Sequence, residues 1–128
     1  MTTQMRREIL EIPDAAERLL TQGAPEIAGI AAAARAADPA YAVTVARGSS
    51  DHACSFLKYA FELELGLPVA SVGPSVASIY GAKLRLARSI CLAVSQSGQS
   101  PDIVAMAQSA GAGGECLRVA DRPAQAGR

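Results

Sequence analysis

Two short polar stretches carry the residue types that could do chemistry here. One is Gly48-Ser49-Ser50. The other is Ser95-Gln96-Ser97-Gly98-Gln99-Ser100. Each follows an apolar run and precedes a helix-like segment. A helix start presents unpaired N–H groups and a partial positive charge. Serine hydroxyls can rotate to donate to an oxyanion, and glycine lets the backbone approach closely. Together these features suit an anion such as a phosphate ester. The plainer alternative is two polar turns that use serine as a helix cap. Two such loops on one rim favour the anion site.

Neighbouring residues add less. Arg47 could screen an anion or be an ordinary rim charge. His52, the only histidine, reads as a solvated side chain, and Asp51 as a helix N-terminal charge. Cys54 and Cys91 sit in apolar contexts and read as small core residues. With Cys116 they make three widely separated cysteines and no CxxC pair, which argues against a zinc ribbon or a dithiol redox site. Neither a GxxxxGK[ST] loop nor a GxGxxG fingerprint is present. No cofactor and no metal are expected.

The elements that must position these loops alternate. A helix in two pieces is expected over 3–22, with Pro13 kinking it or starting the second piece. A second helix spans 26–37 and ends at Asp38-Pro39. Tyr41 to Ala46 is a strand, Asp51 to Leu65 a helix with Gly66 as its C-cap, and Val69 to Val72 a short strand. Residues 76–88 read as mostly helical, interrupted by Gly81. Ile90 to Val94 is the third strand. Ser100 then caps a helix begun by Pro101 and Asp102 and running to about Ala110. Such alternation predicts an α/β fold with a parallel sheet. After Gly111 only Leu117-Arg118-Val119 hints at a strand, so the sheet is expected to stop at three.

Bulk properties bound the partners. The chain has 128 residues, half of them apolar, and 12 basic residues balance 12 acidic ones. Net charge therefore gives no reason to expect nucleic acid or an anionic membrane as partner. No apolar stretch approaches the ~20 residues that span a bilayer. The charged N-terminus is unlike a signal peptide, so a cytoplasmic location is expected.

Ala46-Arg47-Gly48-Ser49-Ser50 and Ala93-Val94-Ser95-Gln96-Ser97-Gly98-Gln99-Ser100 resemble the two phosphosugar loops of the SIS (sugar isomerase) domain family. The likeness is greatest to the isomerase half of glutamine–fructose-6-phosphate aminotransferase and to glucosamine-6-phosphate deaminase-like proteins. The leader Met5-Arg6-Arg7-Glu8-Ile9-Leu10-Glu11-Ile12-Pro13 is similar to the family's M-x-x-E-I-x-E-x-P segment. The resemblance covers about residues 5–109. It implies a three-layer α-β-α, flavodoxin-like domain, with a helical leader over 1–38, a partial SIS domain over 39–110 and an irregular tail over 111–128.

The resemblance also assigns residues. Ser50, Ser95, Gln96, Ser97 and Ser100 would contact the phosphate, while Gly48, Ser49 and Gly98 would serve the sugar ring or the loop backbone. Ser49 and Ser100 stand where the family commonly has Thr, Gln99 where it has Glu, and Arg47 where it has Cys or Gly. The family's catalytic Glu, His and Lys lie further downstream, so no catalytic residue is expected in this chain. It reads as a truncated member whose tail could stem from a shifted reading frame, and amide transfer from glutamine is not expected of it. The expected ligand is a phosphorylated sugar or aminosugar. Pairing into a homodimer is suggested by an apolar helix over 51–65. Three functions stay open: the phosphate half of an aminosugar-phosphate isomerase or deaminase, a phosphosugar sensor, and a fragment with no retained ligand.

Overall fold

A computed structural model describes residues 1–111 and the backbone of residues 115–120. The chain forms two compact units, Met1–Ala36 and Ala37–Arg128. The first holds helix α1 (Gln4–Gln22) and most of α2 (Ala24–Ala37). Thr3 caps α1 by accepting from the Arg6 N–H. The helix runs through Pro13 without a break, where the sequence allows a division. Proline removes one backbone donor, and the Arg18–Glu11 ion pair, 2.8 Å, spans the turns around it. Neither helix has a buried residue.

The second unit is an all-parallel sheet in the order β2-β1-β3-β4. Its strands are β1 (Tyr41–Ala46), β2 (Val69–Ser71), β3 (Ser89–Ser95) and β4 (Glu115–Ala120). Between them lie α3 (Ser50–Leu65), the short α4 (Ser75–Ser78) and α5 (Pro101–Gly111). β1 and β3 are central and buried almost throughout, as expected of a sheet covered on both faces. Alternate residues part to opposite sides. Val43, Val45, Cys91 and Ala93 pack with Ile103, Met106, Ala107 and Ala110 of α5. Ala42, Val69 and Ile90 pack with Phe61, and Ala46 and Val94 with Cys54 and Leu57, all on the α3 side. The three-layer α-β-α architecture follows.

Two expectations are corrected. Residues 76–88 are not a helix: only Ser75–Ser78 is helical. Gly81 takes φ +60 and Arg88 φ +60, left-handed values that no helix accommodates. The segment between them is held by its backbone instead. The Tyr41 hydroxyl donates to the Arg85 carbonyl at 3.0 Å, the Ser89 hydroxyl to the Leu86 carbonyl at 2.6 Å, and Leu86 enters the core. The second correction concerns the expected irregular tail. Glu115–Ala120 forms a fourth strand, paired in parallel with Ile90–Ser95 of β3. The outward N–H and C=O groups of the buried strand β3 need partners, and this segment supplies them. Residues 112–114 and 121–128 of that tail lie outside the described residues. No helix among the described residues is long and apolar enough to cross a membrane.

Helix α3 closes with Gly66 in the left-handed conformation, φ 62. Its last turns also guard the sheet edge. Glu62 Oε1 accepts the Val69 N–H at 3.3 Å, and Lys58 Nζ donates to the Val69 carbonyl at 2.8 Å and to Glu62 at 2.7 Å. These bonds hold the Glu62 carboxyl below the usual glutamate range, the Lys58 hydrogen bond contributing most. A carboxyl whose pKa is lower folded than unfolded stabilises the fold above its unfolded pKa, and that contribution fades as pH falls through the folded one. Glu62→Gln should therefore destabilise the protein at neutral pH and flatten the fall in stability below the ordinary glutamate range. Urea titrations at stepped pH would read this directly.

Candidate functional site

β1 and β3 are neighbours, yet the chain leaves them for opposite faces of the sheet. Strand order reverses between them, and open α/β sheets bind ligands in the crevice at such a point. Ala46, the last residue of β1, pairs with Val94 one residue before the end of β3. Residues 47–49 and 96–100 leave adjacent strand ends on one rim. Between them is an open cavity of about 290 Å³. Arg47, Gly48, Ser49, Ser50, Ser95, Gln96, Ser97 and Ser100 line it, with Val94 and Ile103 adding apolar surface. Of the candidates named from sequence, only Gly98 is not among the lining residues. It sits in the second loop with φ +67.

The hydrogen bonding of the serines bears on what the cavity can do. Ser49 stands at the N-cap of α3, but its side chain makes no capping bond. Its hydroxyl is not occupied by the structural task serine usually performs there. In the second loop the Ser95 hydroxyl accepts the Gly98 N–H at 3.1 Å, and the Ser97 hydroxyl accepts the Gln99 N–H at 3.1 Å. A hydroxyl that accepts from its own loop still has one proton to donate. Ser95 and Ser100 hydroxyl oxygens lie 3.4 Å apart. In the second loop Ser95 and Ser97 thus accept inward, one proton is shared between the Ser95 and Ser100 hydroxyls, and the Ser97 proton and the other of that pair remain to donate. The first loop closes on itself through Asp51 N–H to Gly48 carbonyl and His52 N–H to Ser49 carbonyl, both 3.1 Å.

Arg47 is not a loose rim charge. Its Nη1 lies 2.7 Å from Asp102 Oδ2 in the first turn of α5. Asp102 is more than the helix-end charge its position suggests, because it ties the second loop's helix to the first loop. Sequence spacing holds no signal for this pair, since tertiary folding alone brings the two residues together. Ile103 was equally hidden as a cavity residue, since its apolar type and place in α5 mark it for the core.

Cys54 and Cys91 are buried in the core. Burial above all, and next the Asp51 carboxylate, pushes the Cys54 thiol up, against a hydrogen bond with Thr44. Such a thiol stays protonated and unreactive. Asp51 and His52 are exposed and outside the cavity lining. Among the described residues no group of His, Cys, Asp and Glu could hold a metal ion.

Gly48 occupies a left-handed position, φ +57, with open space around the place of a side chain. Gly48→Ala should cost about 1–2 kcal/mol from backbone strain alone. Gly29→Ala in α2, where φ is ordinary and space is also open, should instead stabilise by about 0.5–1 kcal/mol. Chemical denaturation of both variants distinguishes the conformational demand of the loop from a general dislike of added methyls.

Comparison with known proteins bears on the fold. No family model matches the chain, and no curated protein matches it. Solved structures do. A protein of Silicibacter pomeroyi DSS-3 described as a phosphosugar isomerase is 61% identical, with a TM-score of 0.88, over 94% of this chain and 37% of its own. The present chain thus spans well under half of that relative. Tagatose-6-phosphate ketose/aldose isomerase of Escherichia coli matches at 20% identity and TM-score 0.67, over 92% of this chain and 34% of its own. The C-terminal domain of glucosamine-fructose-6-phosphate aminotransferase from Francisella tularensis matches at 19% identity and TM-score 0.58, over 68% of this chain and 25% of its own. The last two likenesses concern the fold alone.

Proposed function

We propose that this chain, whose fold is that of the SIS (sugar isomerase) phosphosugar isomerases, binds the phosphate of a phosphorylated sugar or aminosugar in the cavity between the β1 and β3 loops. Ser50, Ser95, Gln96, Ser97 and Ser100 are the phosphate contacts. Gly48 and Gly98 shape the loops, and Ser49 faces the sugar. The observation that carries this reading is the convergence of serines from both loops on one cavity, with Ser97 accepting the Gln99 N–H and so keeping its own proton to donate.

The energetics suffice without lysine. Each hydrogen bond to a charged oxygen contributes about 1.5–3 kcal/mol, so three or four of them hold a phosphate ester. A cavity of about 290 Å³ accepts the phosphate and part of a hexose, and its open side leaves the rest of the sugar exposed. Ring opening and proton transfer need acid and base groups that the described cavity does not contain. In this reading the chain is the phosphate-holding part of an aminosugar-phosphate isomerase or deaminase, acting in the cytoplasm, and the chemistry comes from other segments. Glucosamine 6-phosphate and fructose 6-phosphate are the ligands to test first, since the names of two of the matched proteins carry a sugar 6-phosphate.

Thermal unfolding with glucosamine 6-phosphate and with free glucosamine tests the assignment. Binding to the native state adds about 2.7 kcal/mol of stability at a hundredfold excess over Kd. The phosphate ester should raise the transition and the free sugar should not; equal shifts would overturn the reading. Ser97→Ala and Ser50→Ala should each weaken ester binding at least about tenfold, the equivalent of one charge-assisted hydrogen bond.

A further inference from the structure

We propose that the Arg47–Asp102 ion pair is a neutral strut that fixes the two phosphate loops relative to each other, making Arg47 and Asp102 positioning residues and not anion ligands. The inference deepens the phosphate-cavity reading and rests on it.

The geometry is specific. Arg47 is the first residue after β1, and Asp102 is the second residue of α5, just past the second loop. Their 2.7 Å contact joins the two sides of the crevice. Both carboxylate oxygens of Asp102 are engaged, Oδ2 by Arg47 and Oδ1 by the Ile103 N–H at 3.1 Å. The side chain is only 11% exposed, so it is held in place by packing, whereas that of Arg47 is 64% exposed. The exposed partner is thus anchored by the buried one.

Charge leads to the same assignment. Arg47 lines the cavity and is the one cation that does so among the described residues. Its guanidinium is cancelled by a carboxylate held against it, so the pair adds no net attraction for an anion. Without Arg47 the sheltered Asp102 carboxylate would stand uncompensated beside a phosphate and repel it. Arg47 therefore serves binding by holding and neutralising Asp102, while the serines and loop amides contact the ligand.

Two measurements on Arg47→Gln, Asp102→Asn and the double variant test this. The first needs no ligand: hydrogen exchange of the Asp51, His52, Gly98 and Gln99 amides, which close the two loops. Each single variant should speed exchange in both loops by about fivefold, the scale of one partly exposed ion pair. The double variant should be no faster than either single one. Unchanged exchange, or effects that multiply, would refute the strut. The second is binding of inorganic phosphate and of glucosamine 6-phosphate. Arg47→Gln should bind more weakly than the double variant, which again carries no net charge at the pair. A double variant as weak as Arg47→Gln or weaker would make Arg47 a direct ligand and overturn the proposal. If the unaltered protein binds neither ligand, the phosphate reading fails, and the exchange measurement still decides the strut.

Discussion

The side-by-side parallel pairing of β1 and β3 is the constraint from which the rest of the second unit follows. Each strand is hydrogen-bonded on both edges, β1 between β2 and β3, and β3 between β1 and β4. Each is covered on both faces, so its side chains alternate between two different helices. Right-handed crossovers run outward from β1 to β2 and from β3 to β4, in opposite directions across the sheet, so the chain must use both faces. It sends α3 to one side and α5 to the other, and a crevice opens where the two departures diverge. The site is thus a consequence of topology before it is a matter of particular side chains.

Side chains then decide what the crevice holds. Serine in a strand-to-helix turn ordinarily caps the helix, which would consume its hydrogen-bonding capacity locally. Here Ser49 leaves its helix uncapped by side chain, and Ser95 and Ser97 support the second loop as acceptors. The same oxygen atoms therefore stabilise the loop while each hydroxyl still carries a proton to donate. Apolar Val94 and Ile103 at the margin lower the local polarity, which strengthens each polar contact made there.

How much of this could be read from sequence depended on how many neighbours decide each element. β1 and β3 were legible because burial on both faces demands an unbroken run such as YAVTVA or CLAV. Gly66, Ser100 and Pro101 marked helix ends by local backbone chemistry alone. β4 was not legible: Glu115 and Arg118 interrupt its apolar residues, and what makes it a strand is the open edge of β3. Residues 76–88 misled for the opposite reason. Their apolar spacing mimics a helix, but Gly81 and Arg88 adopt left-handed conformations and Ile79 and Tyr80 remain exposed. The serine loops were visible as motifs, whereas the Arg47–Asp102 contact exists only once the sheet has formed.

The contacts of Lys58 and Glu62 with Val69 carry an implication for how this sheet can be extended. β2 is three residues long, and the outward amide and carbonyl at its start are already occupied by side chains of α3. An incoming strand would have to displace a charged pair before it could bond there, a barrier natural sheets use against unwanted association. Strand addition is consequently hindered where β2 begins, on the flank away from β1.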